Sequence, residues 1–127
     1  MFEKLFENYG DFHDALPLNI EYKTNIDLSN NLFKTGIQKV VLNLSCYNLL
    51  LDYSRETIKI EFDEVEEFRF IKYDRMILDT FKEKTDEFYT IDFDPIMTSG
   101  KSEEWITKLN QNSMLSIKFK KLNYEKI

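Results

Sequence analysis

Residues Lys39–Tyr47, KVVLNLSCY, decide the fold of this chain. Apolar and more polar side chains alternate along them, and a period of two is typical of a β-strand with one buried face. The side chains predicted to face the core are Val40, Leu42, Leu44 and Cys46. The alternation resumes over Ile58–Phe62 after the polar stretch 52–56, so the sequence predicts an antiparallel pair with a hairpin connection.

Similar patterns on both sides of this pair predict further strands and two short helices. The other strands are predicted at 16–22, 65–70, 76–81, 89–93 and 115–124. Pro17 is typical of an edge strand, and a phase shift predicts a bulge at Lys120–Lys121. Apolar residues at helical spacing predict a short helix before Gly10, and Ser102 is predicted to cap a short helix near 102–110. Residues 82–86 are predicted to form an exposed turn.

The connections between these strands are too short for crossover helices, which favours antiparallel pairing. We therefore predict a mainly β (or α+β) fold, in which an antiparallel sheet of about seven strands is curled into a barrel-like sandwich. Residues 1–127 are predicted to form a single domain, because the chain has no low-complexity stretch or linker.

The composition excludes several kinds of chemistry. His13 is the one histidine and Cys46 the one cysteine, so sites that need two histidines or several cysteines are excluded. Three scattered glycines leave no phosphate-binding loop. We therefore expect no enzyme activity, no cofactor and no metal. No apolar run is long enough to span a membrane and the start does not resemble a signal peptide, so we expect a cytoplasmic protein.

The charge is negative overall and unevenly distributed. The net charge is −6; residues 52–94 hold fourteen acidic side chains against seven basic ones, whereas residues 101–127 hold six lysines against three glutamates. An acidic protein gains little from phosphate contacts, so no nucleic-acid partner is expected. A basic protein partner is the better electrostatic complement. The simpler alternative is that the negative charge keeps a small domain soluble.

Two groups of residues are candidate binding sites. The predicted partner-binding residues are Asp63, Glu64, Glu66, Glu67, Tyr73, Tyr89, Asp92 and Asp94. Their carboxylates do not match the spacing of a calcium loop, so a partner protein or plain solvation is the better interpretation. The second group is Asp11, His13 and Asp14, where an imidazole between carboxylates suits a general base or a structural cap. Tyr47, Tyr53 and Trp105 are further candidate aromatic anchors.

The order of these segments resembles that of small bacterial proteins, some of which look like the immunity proteins encoded beside polymorphic toxins. The segments that carry the resemblance are Phe12-His13-Asp14-Ala15, Ile58-x-Ile60-x-Phe62-x-x-Val65-x-x-Phe68-x-Phe70 and Tyr89-x-Ile91-x-Phe93-Asp94-Pro95. The resemblance implies a cytoplasmic protein that binds a cognate toxin domain and blocks it stoichiometrically. It supplies no binding residues to transfer.

The leading hypothesis from the sequence is therefore a non-enzymatic binding protein of the immunity type, which covers a basic toxin surface with acidic residues. One alternative is a metal-dependent hydrolase or small-ligand-binding β-barrel centred on His13. Another is a structural interaction module without inhibitory activity.

Overall fold

A computed structural model describes residues 1–25, 36–100 and 104–127. One helix and ten strands occupy this part of the chain. They are α1 (Phe2–Tyr9), β1 (Leu16–Lys23), β2 (Lys39–Asn48), β3 (Ser54–Asp63), β4 (Glu67–Phe70), β5 (Phe81–Lys84), β6 (Tyr89–Asp92), β7 (Ile96–Ser99), β8 (Trp105–Lys108), β9 (Leu115–Phe119) and β10 (Lys121–Lys126).

All strand pairs are antiparallel, as the short connections predicted. The first sheet has the order β1-β2-β3-β10 and the second has the order β4-β9-β6-β5, while β7 and β8 form a separate hairpin. The prediction of a mainly β, antiparallel fold is confirmed. The pairings of the described strands do not close a barrel, so the predicted barrel-like sandwich is not confirmed.

The core is made from the inner faces of both sheets and from helix α1. The face predicted from the alternation in β2 is buried, and Cys46 lies in it as a small apolar side chain. Phe62 of the first sheet meets Phe119 of the second with ring centroids 4.9 Å apart. Leu5 and Tyr9 add the buried side of α1. One continuous apolar cluster therefore holds the helix and both sheets together.

The prediction of a helix near 102–110 is wrong for the residues of this segment that the structure describes. Residues Trp105–Lys108 form strand β8, which pairs with Ile96–Ser99. Aromatic and β-branched residues at 105–107 favour a strand over a helix. Ser102, the predicted cap, lies outside the described residues.

Three finer predictions also differ from the structure. Residues 82–84 of the predicted turn 82–86 belong with Phe81 to edge strand β5, whose charged residues suit an exposed edge. The segment before Phe81 is irregular rather than a strand. At Lys120, where a bulge was predicted, the chain leaves the second sheet and enters the first, so one predicted strand becomes β9 and β10.

Candidate functional site

A cleft lies between the segment after α1 and the connection from β2 to β3. Its volume is about 400 Å³, and more of its lining is apolar than polar. The lining residues are Tyr9, Gly10, Asp11, His13, Asp14, Tyr47, Leu49 and Tyr53. The structure thus brings the predicted group Asp11, His13 and Asp14 together with two of the candidate aromatic anchors. We refer to this feature as the tyrosine–aspartate cleft.

One wall of the cleft is a tightly turned segment that begins where α1 ends. Gly10 adopts φ 59° and ψ −143°, a conformation nearly restricted to glycine, and its N–H donates to the Phe6 carbonyl at 2.8 Å. Phe12 and Asp14 also have positive φ angles. The Asp14 N–H donates to the carbonyl of Ile77 at 2.8 Å, which fixes the segment on the body of the protein.

The opposite wall is the turn 49–53, which we call the leucine turn. Asn48 Oδ1 accepts the N–H of Leu50 at 2.9 Å, and the Leu49 N–H donates to the Asn8 carbonyl of α1 at 2.7 Å. Two successive positive φ angles, at Asp52 and Tyr53, reverse the chain. The turn is therefore held by hydrogen bonds at its base while its apolar side chains point outward: Leu50 is 66% exposed, Leu51 56% and Tyr53 66%.

A buried polar network beneath the cleft ties the two walls together. Glu56 on β3 is only 6% exposed, and its carboxylate accepts the Tyr9 hydroxyl at 2.9 Å and Asn48 Nδ2 at 3.2 Å. Lys126 Nζ lies 3.7 Å from Oε1 of the same carboxylate. Burial, followed by the hydrogen bond and charge of Glu56, raises the pKa of Tyr9 well above its usual value, so Tyr9 stays a neutral donor.

His13 and Asp11 are exposed at the rim of the cleft, and Asp14 beside them is half-buried. His13 Nδ1 lies 2.8 Å from the Leu78 carbonyl oxygen, a distance at which a protonated Nδ1 donates to it, and Nε2 lies 3.5 Å from Asp14 Oδ2. Asp11 Oδ1 accepts Lys82 Nζ at 3.0 Å. Within the described parts of the chain, no group of three or more His, Cys, Asp or Glu side chains is placed to hold a metal ion.

A second, smaller groove lies next to the cleft, since Leu78 lines this groove and its carbonyl meets His13. It has a volume of about 140 Å³. Tyr73 and Asp94, both predicted partner-binding residues, line it. The Tyr73 hydroxyl donates to the Phe93 carbonyl at 2.6 Å, and burial raises the pKa of Tyr73 to about 12. Tyr73 is therefore fixed in place with part of its ring accessible.

Asp63 and Glu64, two of the four acidic residues in the cluster predicted from residues 63–67, are paired with lysines. Lys39 Nζ lies 3.5 Å from Asp63 Oδ1, and Lys121 Nζ lies 3.5 Å from Glu64 Oε2. Glu67 stands opposite Lys118 in the pairing of β4 with β9, while Glu66 is exposed. The acidic middle and the basic end of the chain are thus neighbours in space, which reduces the net charge of this surface.

Asp92 and Asp94 have different surroundings from one another and from the cluster at 63–67. Asp92 is 0% exposed and accepts the Ser113 hydroxyl at 2.6 Å and the Asn110 N–H at 2.8 Å, so it closes the loop before β9. Asp94 accepts Arg75 Nη2 at 2.9 Å and the Met114 N–H at 3.0 Å. Asp92 is enclosed in the interior, whereas Asp94 lies at the edge of the smaller groove.

Tyr89, the remaining predicted residue, lies away from the cleft. Its ring packs on Phe2 of α1 at 4.5 Å between centroids and stacks with Phe119 at 5.8 Å. Half-buried, it contributes to packing between α1 and the second sheet. The predicted partner-binding residues are therefore distributed over four places instead of forming one patch: the cluster at 63–67, the smaller groove, the interior at Asp92 and the contact of Tyr89 with α1.

The hairpin connection predicted at 52–56 lies instead at 49–53, and β3 begins at Ser54. Three successive leucines after a strand are equally compatible with its continuation and with the start of the next strand, so the pattern alone did not place the turn there. The polar Asn48 and Asp52 on either side of the leucines were the available signal, since such residues favour turns.

Comparison with known protein families, with curated proteins and with solved structures gave no match. Among the described residues, no helix is long and apolar enough to cross a membrane.

Proposed function

We propose that this protein is a non-enzymatic binding protein of the immunity type, which neutralises a cognate bacterial toxin by direct contact in the cytoplasm. The observation that carries the proposal is the leucine turn, with Leu50, Leu51 and Tyr53 exposed beside the tyrosine–aspartate cleft. Large apolar side chains clustered on a surface typically mark an interaction site.

The way the turn is built supports binding to a protein. Its base is fixed by the hydrogen bonds of Asn48 and Leu49, so little conformational entropy is lost when a partner covers it. Tyrosine is enriched among the residues that dominate binding energy; Tyr53 belongs to the turn, and Tyr47 lies at the end of β2 just before it. Trp105, 66% exposed on the β7–β8 hairpin, offers a further aromatic contact.

The charged residues take a secondary role in this proposal. Glu66 and Glu67 are exposed and the protein carries a net charge of −6, so a basic partner is attracted over a distance. Such charges raise association rates more than they raise affinity. The apolar turn supplies the affinity, and the acidic surface selects a basic toxin.

The test compares two leucines of equal exposure. Leu51 in the turn and Leu18 on β1 are both 56% exposed. We expect the wild-type protein and Leu18→Asp to retain the product of an adjacent gene at physiological salt and to inhibit it at equal molar ratio, whereas Leu51→Asp loses both properties. Retention of no adjacent gene product at low or physiological salt contradicts the proposal. Equal capture by Leu51→Asp and the wild type excludes the leucine turn as the contact.

A small-ligand site is the second candidate, because the cleft places His13, Asp11 and Asp14 around an open volume of about 400 Å³. Metal analysis of the purified protein and thermal shift of His13→Ala with candidate ligands test it. Absence of bound metal together with absence of any ligand-dependent stabilisation removes this alternative. Capture of a partner whose activity is unchanged favours a structural interaction module.

A further inference from the structure

We propose that the tyrosine–aspartate cleft receives an arginine side chain of the partner protein. The inference rests on the proposed function, because it names the chemical group of the partner that the cleft recognises. It follows from three properties of the cleft: its aromatic wall, its carboxylates and its apolar floor.

The aromatic wall is suited to a guanidinium group, and the protein itself contains an example. Arg55 places its Cζ 4.7 Å from the centre of the Tyr47 ring, in a cation–π arrangement. Arg55 is held there by a 2.8 Å hydrogen bond from Nε to Ser45 Oγ and a 3.2 Å bond from Nη2 to the Asp14 carbonyl, so it already covers this face of Tyr47. The ring of Tyr53, 66% exposed in the same cleft, is therefore the aromatic face on which a partner's arginine would stack.

The carboxylates supply complementary charge at the rim. Asp11 uses Oδ1 to accept Lys82 Nζ at 3.0 Å and Thr80 Oγ1 at 3.5 Å. Asp14 has an exposed histidine as its side-chain neighbour, with 3.5 Å between Nε2 and Oδ2. An arginine has five N–H donors in a planar fork, so it can bond a carboxylate and stack on a tyrosine at once.

The floor of the cleft fits the stem of the same side chain. Leu49 approaches the Gly10 backbone so closely that a Cβ at Gly10 would lie 2.7 Å from Leu49 Cδ1. This apolar floor can cover the methylene groups of an arginine while its charged head reaches the rim. A lysine would use the same floor, but its ammonium group lacks the flat face that stacks on tyrosine.

The cleft is shaped before any partner binds. Positive φ angles at Gly10, Phe12, Asp14, Asp52 and Tyr53 are concentrated in its two walls. Backbone conformations of this kind persist where the surrounding structure holds them, and they recur at ligand-binding sites. A partner arginine therefore enters a formed site and does not have to order the loops around it.

The test uses the whole protein and two probes that differ in charge. N-acetyl-L-arginine methylamide is titrated into ¹⁵N-labelled protein, and N-acetyl-L-citrulline methylamide, its neutral isostere, is the control. We expect saturable chemical-shift changes at the amides of Gly10, Asp11, Asp14 and Tyr53, with affinity for the arginine probe at least about tenfold higher than for citrulline. Added salt should weaken binding of the arginine probe and leave binding of the citrulline probe unchanged.

A matched pair of variants tests the carboxylate. Asp14→Asn keeps the size of the side chain, and asparagine tolerates a positive φ, so the fold is retained. We expect it to reduce affinity for the arginine probe, while Asp86→Asn, an exposed site in the turn between β5 and β6, leaves it unchanged. Equal binding of both probes, absence of saturable shifts, or equal affinity of Asp14→Asn and wild type overturns the inference.

The outcomes separate this inference from the proposed function. If the protein captures a partner through Leu51 but does not bind the arginine probe, the proposed function stands and the assignment of the cleft to a partner's arginine is rejected. Binding of the probe without capture of any adjacent gene product rejects the proposed function, and with it the assignment of the arginine to a protein partner.

Discussion

Replacing Tyr9 by phenylalanine should destabilise the protein and loosen the tyrosine–aspartate cleft. The Tyr9 hydroxyl donates at 2.9 Å to Oε2 of Glu56, a carboxylate that is 6% exposed. Asn48 Nδ2 and Lys126 Nζ, at 3.2 and 3.7 Å, contact the other oxygen, Oε1. Phenylalanine keeps the ring in place but leaves Oε2 without its donor.

The expected cost follows from the charge and burial of the acceptor. A hydrogen bond to a charged group contributes about 1.5–3 kcal/mol to stability, more than a bond between neutral groups. For a domain of this size such a loss lowers Tm by about 5–15 °C. The cost falls at the lower end of this range if water reaches Oε2 through the space left by the hydroxyl.

Urea denaturation followed by circular dichroism measures the free energy of unfolding. Tyr22→Phe is the control, because Tyr22 is exposed and its ring stacks on Phe68, a contact that the substitution preserves. We expect this control to remain within about 0.5 kcal/mol of the wild type. In a Glu56→Gln background, where the hydroxyl meets a neutral amide, Tyr9→Phe should cost about 1 kcal/mol less than in the wild type.

Two results would refute the reasoning. A cost of Tyr9→Phe below about 0.5 kcal/mol would mean that the hydroxyl makes no net bond to a buried carboxylate. An equal cost in the wild-type and Glu56→Gln backgrounds would mean that the charge of Glu56 does not strengthen the bond. Either result would remove the network as the link between the two walls of the cleft.

Three further outcomes are expected. Gly10→Ala should lower the free energy of unfolding by about 1–3 kcal/mol in urea titrations, because alanine is strained at φ 59°. Cys46 should react with a thiol reagent at least about 1,000-fold more slowly than in unfolded protein, because burial raises its pKa from 9.0 to about 12 and so reduces the thiolate fraction. Burial, with a smaller contribution from the charge of Asp11, raises the pKa of Asp79 above 3.8, so the folded state binds its proton more tightly than the unfolded state does. Asp79→Asn should therefore be more stable than wild type near pH 7, and in thermal melts at varied pH this advantage should shrink as pH falls through the window just above 3.8, where wild-type Asp79 takes up its proton.

The central pair of strands was predictable because its pattern and its environment agree. In β2 every second side chain from Val40 to Cys46 is buried, and the strand has a neighbour on each side. The other face of β2 is only partly covered, since Asn43 and Ser45 are half-buried and Tyr47 is exposed, so the period of two survives in the sequence. The sequence of edge strand β1 alternates as regularly as that of β2, yet Leu18, predicted on its buried face, is exposed. The register of β1 against β2 shifts between Pro17 and Asn19, which places Leu18 at this irregularity.

The charged surface was not predictable from the sequence, because it depends on strand order. Counting along the chain separates acidic residues 52–94 from the lysines of 101–127. The pairings of β3 with β10 and of β4 with β9 place Asp63 opposite Lys121 and Glu67 opposite Lys118. Periodicity reports which face a residue occupies and carries no information on which strand lies beside it, so the neutralisation appears only in three dimensions.

The cleft itself joins two segments that lie far apart in sequence, and the contacts that join them also stabilise the fold. Asn8 accepts the N–H of Leu49 at 2.7 Å, and Tyr9 bonds Glu56 from below. The positions of both walls therefore depend on α1 staying docked against β2 and β3. A substitution that weakens the Tyr9–Glu56 bond should lower partner affinity as well as stability, because Tyr47 and Tyr53 would then face a displaced Asp14. Binding and stability should fall together in Tyr9→Phe, whereas Leu51→Asp should reduce binding alone, since Leu51 is exposed and lies outside the network.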